Sequence, residues 1–155
     1  MSKEAFRQAA QFFAETVEKI RPSQWDESAL GVWTVRDLVG HTNASFARVV
    51  EFSQTRADKV DVASAAQHYH VSLSAEGIDD VIAERGRAAG QGLGDDVPAM
   101  IRTGMQESLA VLEATPDGAI IMYPNGCIKL EHYLETRVLE LTVHSLAILA
   151  ATGIE

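Results

Sequence analysis

Hydrophobic residues recur at three- and four-residue steps in four long segments of the chain. These segments cover residues 3–20, about 35–55, about 95–113 and about 130–151. Such spacing places the apolar side chains on one face of a helix, which must then be buried against other helices. The pattern therefore predicts an all-α fold, a four-helix bundle built by a single domain over residues 1–155.

Local signals refine the ends of these helices. Thr34 is suited to cap the second helix, with Asp37 three residues later completing a capping box. Residues 75–91 predict a shorter helix, whereas residues 56–73 predict a loop that includes at most a short helical turn. In the third long helix the predicted buried stripe is Met100, Ile101, Met105, Leu109 and Leu112.

A β-hairpin is predicted immediately before the last helix. Residues 119–130 contain two β-prone stretches on either side of Pro124-Asn125-Gly126, which is a typical turn sequence. Because a two-stranded hairpin is weak alone, we expect it to lie against the bundle.

Composition limits the class of function. The chain is 46% hydrophobic and carries a formal charge of −9, so it lacks the basic excess that nucleic acids or anionic lipids require. The single cysteine, Cys127, allows no intrachain disulfide. The N-terminal segment has no apolar signal core, and no segment approaches the roughly 18 apolar residues of a membrane helix. We therefore expect a cytoplasmic protein with neither nucleic-acid nor membrane partners.

Two polar residues interrupt the most apolar helix. Glu140 and His144 are four residues apart, so they share one face of that helix. A buried carboxylate needs a charged partner or a metal. With His41 from the second helix they would form a His2Glu metal site with room for a fourth ligand. The alternative is a hydrogen-bonded pair of Glu140 with His144 or with Arg137, and the spacing alone does not decide between them.

Other residues could also carry chemistry. His68 and His70 form a His-x-His pair, for which a solvated loop is favoured over a metal site. Cys127 has no base or second cysteine nearby in sequence that would lower its pKa, so an unreactive thiol is favoured.

Two residues near His41 each have two interpretations. Trp33 is expected to anchor the core rather than to stack on a substrate. Asp37 is either a capping residue only or the acceptor for the second ring nitrogen of His41.

Two segments together resemble a known family. Residues 33–41, WTVRDLVGH, resemble the start of the second helix in DinB-like proteins. Residues 134–144, LETRVLELTVH, resemble the final helix of one branch, the N-terminal domain of mycothiol-dependent maleylpyruvate isomerases. The recurring pattern in that helix is an arginine, a glutamate three residues later and a histidine four residues after that.

The resemblance implies a divalent metal, commonly zinc, held by His41, Glu140 and His144. It further implies a mycothiol-type thiol as co-substrate, whose metal-activated thiolate attacks a small electrophile in an S-transfer or isomerisation. Arg137 would orient an anionic group of the thiol or substrate, and no other catalytic residue is assigned. The alternative is a non-catalytic metal- or ligand-binding module, and with either function the domain could form a homodimer.

Overall fold

The computed structural model describes residues 1–155 and is mainly helical. Six α-helices and two short antiparallel strand pairs follow one another in the order α1 Ser2–Glu18, β1 Ser28–Leu30, β2 Trp33–Thr34, α2 Val35–Ser53, α3 Ala65–Ser72, α4 Ile78–Gln91, α5 Val97–Ala114, β3 Ile120–Tyr123, β4 Gly126–Lys129 and α6 Leu130–Thr152. The predicted bundle with a hairpin before its last helix is confirmed.

The four long helices, α1, α2, α5 and α6, enclose the core. Helices α1 and α2 each pack against both α5 and α6, and α4 lies outside the bundle against α2. Phe46 of α2 contacts two aromatic rings of α1, those of Phe6 and Phe13, with centroid distances of 6.3 and 6.0 Å. Burial of these large rings supplies much of the hydrophobic stabilisation of the bundle.

Helix α2 begins where its capping signals predict. The amide of Asp37 donates to Thr34 Oγ1 at 3.2 Å, and the amide of Thr34 donates to Asp37 Oδ2 at 3.1 Å. This reciprocal pair satisfies two backbone donors that the first helical turn would otherwise leave free. It also fixes the position of the turn that precedes His41.

The predicted stripe of α5 needs one correction. Ile101 and Leu112 are buried, and Met105 and Leu109 are partly buried against the core, but Met100 is 38% exposed. The inward face runs instead through Val97, Ile101, Ser108 and Leu112. Met100 precedes Ile101 and is therefore rotated about 100° away from that face.

Two elements were not predicted. Residues 28–34 form the small β1–β2 hairpin within the segment that joins α1 to α2. Residues 65–72 form a helix, α3, whose N-terminus is capped by Ser64, rather than the predicted loop. Helix α3 packs against α6, so tertiary contact stabilises a helix that is short for independent stability.

None of the helices is both long enough and apolar enough to cross a membrane.

Candidate functional site

Three side chains from two helices converge at one point. His41 of α2 and Glu140 and His144 of α6 each offer a ligand atom, and these atoms all lie within 4.8 Å of one another. Glu140 Oε2 is 3.6 Å from His41 Nε2 and 3.5 Å from His144 Nδ1. The three residues that the sequence predicts as ligands are therefore brought together. One carboxylate oxygen faces both imidazoles at a separation longer than a good hydrogen bond.

The Glu140 carboxylate is held from its other side by Tyr69 of α3. The Tyr69 hydroxyl lies 3.1 Å from Glu140 Oε1 and 3.1 Å from the carbonyl oxygen of Thr136, positioned to donate to either. Burial opposes ionisation of Glu140, but contact with His41 and the charge of Arg137 outweigh it and lower its pKa to about 2. Glu140 is therefore an anion at neutral pH.

His144 lies deeper than His41. Its Nδ1 atom is buried without a hydrogen-bond partner. Burial lowers the pKa of His144 to about 4, and the nearby carboxylate of Glu140 only partly opposes this effect. The imidazole is therefore neutral at pH 7, with a buried nitrogen directed at Glu140.

Trp33 fixes the position of His41. Its ring lies on the His41 imidazole with centroids 4.5 Å apart, and its Nε1 donates to the carbonyl of Ala83 in α4 at 2.9 Å. Gly86 of the same helix lies against the indole, because an added Cβ would be 2.5 Å from Trp33 Nε1. Trp33 is a buried anchor, as predicted, and it also borders the cavity described below.

Arg137 does not pair with Glu140. No carboxylate oxygen lies within 4.0 Å of its guanidinium, so the predicted alternative of a Glu140–Arg137 pair is wrong. Instead Arg137 Nε donates to Thr136 Oγ1 at 3.1 Å, and the guanidinium carbon lies 5.2 Å from the centroid of the Tyr133 ring. The side chain is buried and lines the same cavity as the triad.

The interpretation of His68 and His70 as a solvated loop pair is wrong. Both residues lie on helix α3, where positions two apart point in nearly opposite directions. His68 is buried among the rings of Tyr69, Tyr123 and Tyr133, while His70 is exposed. The pair is neither a solvated loop nor a joint metal site.

Two other residues that the sequence singles out do not belong to the triad. Asp37 caps α2 through Thr34 and makes no hydrogen bond to His41, so it does not accept the proton of the second ring nitrogen. Partial desolvation and the neighbouring Asp61 carboxylate raise the pKa of Cys127, which favours an unreactive thiol as predicted.

A cavity of about 540 Å³ opens beside the triad. Sequence reasoning missed Tyr69, Arg48 and Arg85, which line it together with Arg137. A signal for Arg48 exists, because it follows His41 by seven residues and so shares its face of α2. Tyr69 and Arg85 could not be found this way, because α3 and α4 reach the cavity only through tertiary packing.

The donor set fits a divalent cation. Two imidazole nitrogens and one carboxylate oxygen are ligands that zinc accepts, and three protein ligands leave a further position for water or substrate. All three residues line the cavity, so that position is accessible to a small molecule. The buried, unpartnered Nδ1 of His144 is the kind of atom that a metal would satisfy.

Comparison with known proteins identifies one family. No curated protein and no solved structure matches the chain significantly. The family model described as the mycothiol maleylpyruvate isomerase N-terminal domain matches residues 6–148, which include all three residues of the triad. The chain therefore belongs to the family of mycothiol maleylpyruvate isomerase N-terminal domains, a mycothiol-related, DinB-like family.

Proposed function

We propose that the domain binds a divalent cation, with zinc as the best fit, through His41, Glu140 and His144, and acts on a mycothiol-type thiol. The observation that carries this proposal is the convergence of three ligand atoms within 4.8 Å at the wall of a cavity. Family membership supplies the thiol as the expected co-substrate.

The chemistry requires a thiolate at neutral pH. A free cysteine thiol has a pKa of about 8.5, and a coordinating metal ion would lower the pKa enough to deprotonate the thiol at neutral pH. The cavity is large enough for a small ligand, since such pockets typically measure about 300–1,000 Å³. Within it, the anionic Glu140 and the neutral His144 are already in the protonation states that metal ligation requires.

The thiolate would then attack an electrophilic carbon of a second, small substrate. In a transfer reaction the new sulfur–carbon bond would be kept and the leaving group would depart with its bonding electron pair. In an isomerisation the thiolate would add to one carbon of a double bond, whose π electrons would move onto an adjacent electron-withdrawing group. Rotation about the resulting carbon–carbon single bond and expulsion of the thiolate would then re-form the double bond. Arg137 lines the cavity, and we expect it to orient an anionic group of the thiol or of the electrophile.

Elemental analysis of the purified protein tests the metal. We expect about one zinc or similar ion per chain in the wild type and loss of the ion in His41→Ala and in His144→Ala. His132→Ala is the matched control, because His132 is on the same helix and pairs only with Glu135, outside the triad. A wild-type protein that takes up no zinc on incubation would overturn the metal proposal.

Thiol consumption tests catalysis. The zinc-loaded domain is incubated with mycothiol and a panel of small electrophiles, and free thiol is measured over time. Turnover that disappears in His144→Ala supports the enzyme. Zinc binding without turnover of any panel member favours the alternative, a non-catalytic metal- or ligand-binding module. Sedimentation of the same samples measures whether the domain forms a homodimer.

A further inference from the structure

Three arginines from three helices line the cavity beside the triad. Arg48 lies on α2, Arg85 on α4 and Arg137 on α6. None has a carboxylate oxygen within 4.0 Å, and among them Arg137 is buried, Arg48 is half-buried and Arg85 is exposed. Arginines that converge on a cavity without acidic partners are available to bind an external anion.

Arg137 is the most constrained of the three. Arg137 is only 6% exposed, yet its side chain donates only one hydrogen bond, from Nε to Thr136 Oγ1. A guanidinium has five N–H donors, so four of them have no protein acceptor. Holding a charged group at a buried position without acceptors is unfavourable, and a bound anion would supply the missing acceptors.

His68 adds a second, independent observation at the same cavity. It is 6% exposed, lines the cavity, and its buried Nδ1 has no hydrogen-bond partner. The buried hydroxyl of Tyr123, whose ring lies 5.1 Å from that of His68, also has none. Two unpartnered buried polar atoms next to unpartnered arginines indicate a place for a polar ligand.

The charge of the cavity is opposite to that of the chain. The chain carries −9 overall, but Glu140 is the sole carboxylate among the lining residues, against three arginines. Burial lowers the pKa of Arg48, and repulsion from Arg137 and Arg85 lowers it further, so the charge of Arg48 interacts unfavourably with the other two. An anion placed among them would relieve that repulsion.

The side chains that line the cavity also indicate the chemistry of the rest of the ligand. Half of the lining residues are hydrophobic, and the rings of Phe52, Tyr123 and Tyr133 are among the lining side chains. These rings pack together, with Phe52 and Tyr133 centroids 5.7 Å apart. Such surfaces suit a flat, apolar body attached to the anionic group.

We propose that Arg48, Arg85 and Arg137, with His68, form a binding site for the carboxylate or phosphate group of a small organic anion with an apolar body. The assignment of this site to recognition of the electrophile rests on the proposed function. The binding of an anion by these arginines does not require a metal, so the anion site and the metal site can fail separately.

The test uses the full chain freed of metal by a chelator that is then removed by dialysis. Binding of benzoate, inorganic phosphate and benzamide is measured by NMR titration. Benzamide has the shape of benzoate without its charge. We expect one of the two anions to bind at least about tenfold more tightly than benzamide, because charged hydrogen bonds are the stronger ones. The better anion identifies the carboxylate or the phosphate as the group recognised.

Variants locate the binding. Arg48→Gln should weaken anion binding about tenfold or more, and Arg48→Lys, which keeps the charge, should restore part of it. Arg36→Gln is the control, because Arg36 lies on the same helix, over Trp25 and outside the cavity. Bound anion should also raise the pKa of His68, measured by NMR, because it offsets the positive charges of Arg137 and Arg48.

The proposal is overturned if neither anion binds, if benzamide binds as well as benzoate and phosphate is inert, or if Arg48→Gln binds like the wild type. A wild-type protein that binds the anion but takes up no zinc would remove the metal proposal and leave the anion site. Retained zinc binding with no anion binding would do the reverse.

Discussion

The orientation of the Glu140 carboxylate depends on a residue outside its own helix. Tyr69 Oη contacts Glu140 Oε1 at 3.1 Å, which leaves Oε2 to face His41 and His144. Residues that hydrogen-bond to ligating side chains typically change metal affinity by about 10- to 100-fold when removed. Tyr69 is therefore a positioning residue for the proposed metal site.

Tyr69→Phe should weaken zinc binding by about tenfold or more, because Glu140 loses the hydrogen bond that orients it. Zinc affinity is measured by competition with a chromophoric chelator. Tyr123→Phe is the matched control, since the Tyr123 hydroxyl lies at the same cavity but has no hydrogen-bond partner. Equal affinity of Tyr69→Phe and wild type would contradict the positioning role.

His68 links stability to pH. Burial and the positive charges of Arg137 and Arg48 lower the pKa of His68 to about 4, although the negative charge of Glu140 partly opposes them. Its ordinary value of about 6.5 applies in the unfolded chain. Between these values the unfolded state binds more protons, so the contribution of His68 to stability falls as the pH drops from about 6.5 towards 4 and is nearly constant above about 6.5.

As the pH is lowered, the free energy of unfolding of the metal-free protein should therefore fall more steeply in wild type than in His68→Phe. It is measured in urea at each pH. Between about pH 7.5 and 5, the difference attributable to His68 is at most about 2 kcal/mol. Comparing the two proteins removes the contribution of His144, which both retain. Parallel pH profiles would show that His68 titrates normally in the folded state.

At the scale of helices, α2 and α4 approach so closely that only glycine fits between them. A Cβ on Gly40 would lie 2.5 Å from the carbonyl carbon of Ala89, and a Cβ on Gly90 would lie 2.6 Å from Asp37 Oδ1. The contact sets the wall of the cavity, because Gly40 precedes His41 and α4 carries Arg85.

Gly40→Ala should destabilise the protein by about 1–3 kcal/mol, although alanine is favoured over glycine in a helix by about 1 kcal/mol. The reason is that backbone atoms of α4 would have to move. Gly92→Ala is the control, because its Cβ would meet nothing closer than 3.5 Å and its φ of −75° suits alanine. Thermal unfolding of both variants checks this, and an unchanged midpoint for Gly40→Ala would refute the close packing.

Elements defined by local signals were predictable from the sequence. The cap of α2 needs only Thr34 and Asp37, and the turn before α6 needs only residues 124–126. Helix α3 was not predictable, because its eight residues have little amphipathic pattern and gain their stability from α6. Met100 was misassigned because its spacing matches two adjacent faces of α5.

At the scale of the molecule, the bundle brings two polar faces together. His41 and Arg48 share a face of α2, and Arg137, Glu140 and His144 share a face of α6. The sequence indicated the candidate ligands on each face, although it missed Arg48, and the spatial order of the helices decided that the faces would meet. The cavity needs both faces and the two helices, α3 and α4, that lie over them. The candidate ligands were thus accessible to sequence reasoning, while their surroundings were not.

A metal at the triad would join α2 to α6, so its binding should be visible as global stability. A ligand that binds only the folded state at about 100 times its dissociation constant stabilises it by about 2.7 kcal/mol. Zinc should therefore raise the unfolding midpoint of the chelator-treated protein in a concentration-dependent way, and Glu140→Gln, which keeps the shape but not the charge, should abolish the rise. His132→Ala should keep it, because His132 lies on α6 outside the triad. An equal rise in Glu140→Gln would mean that zinc does not depend on the triad, since no other cluster of three such ligand groups exists in the structure.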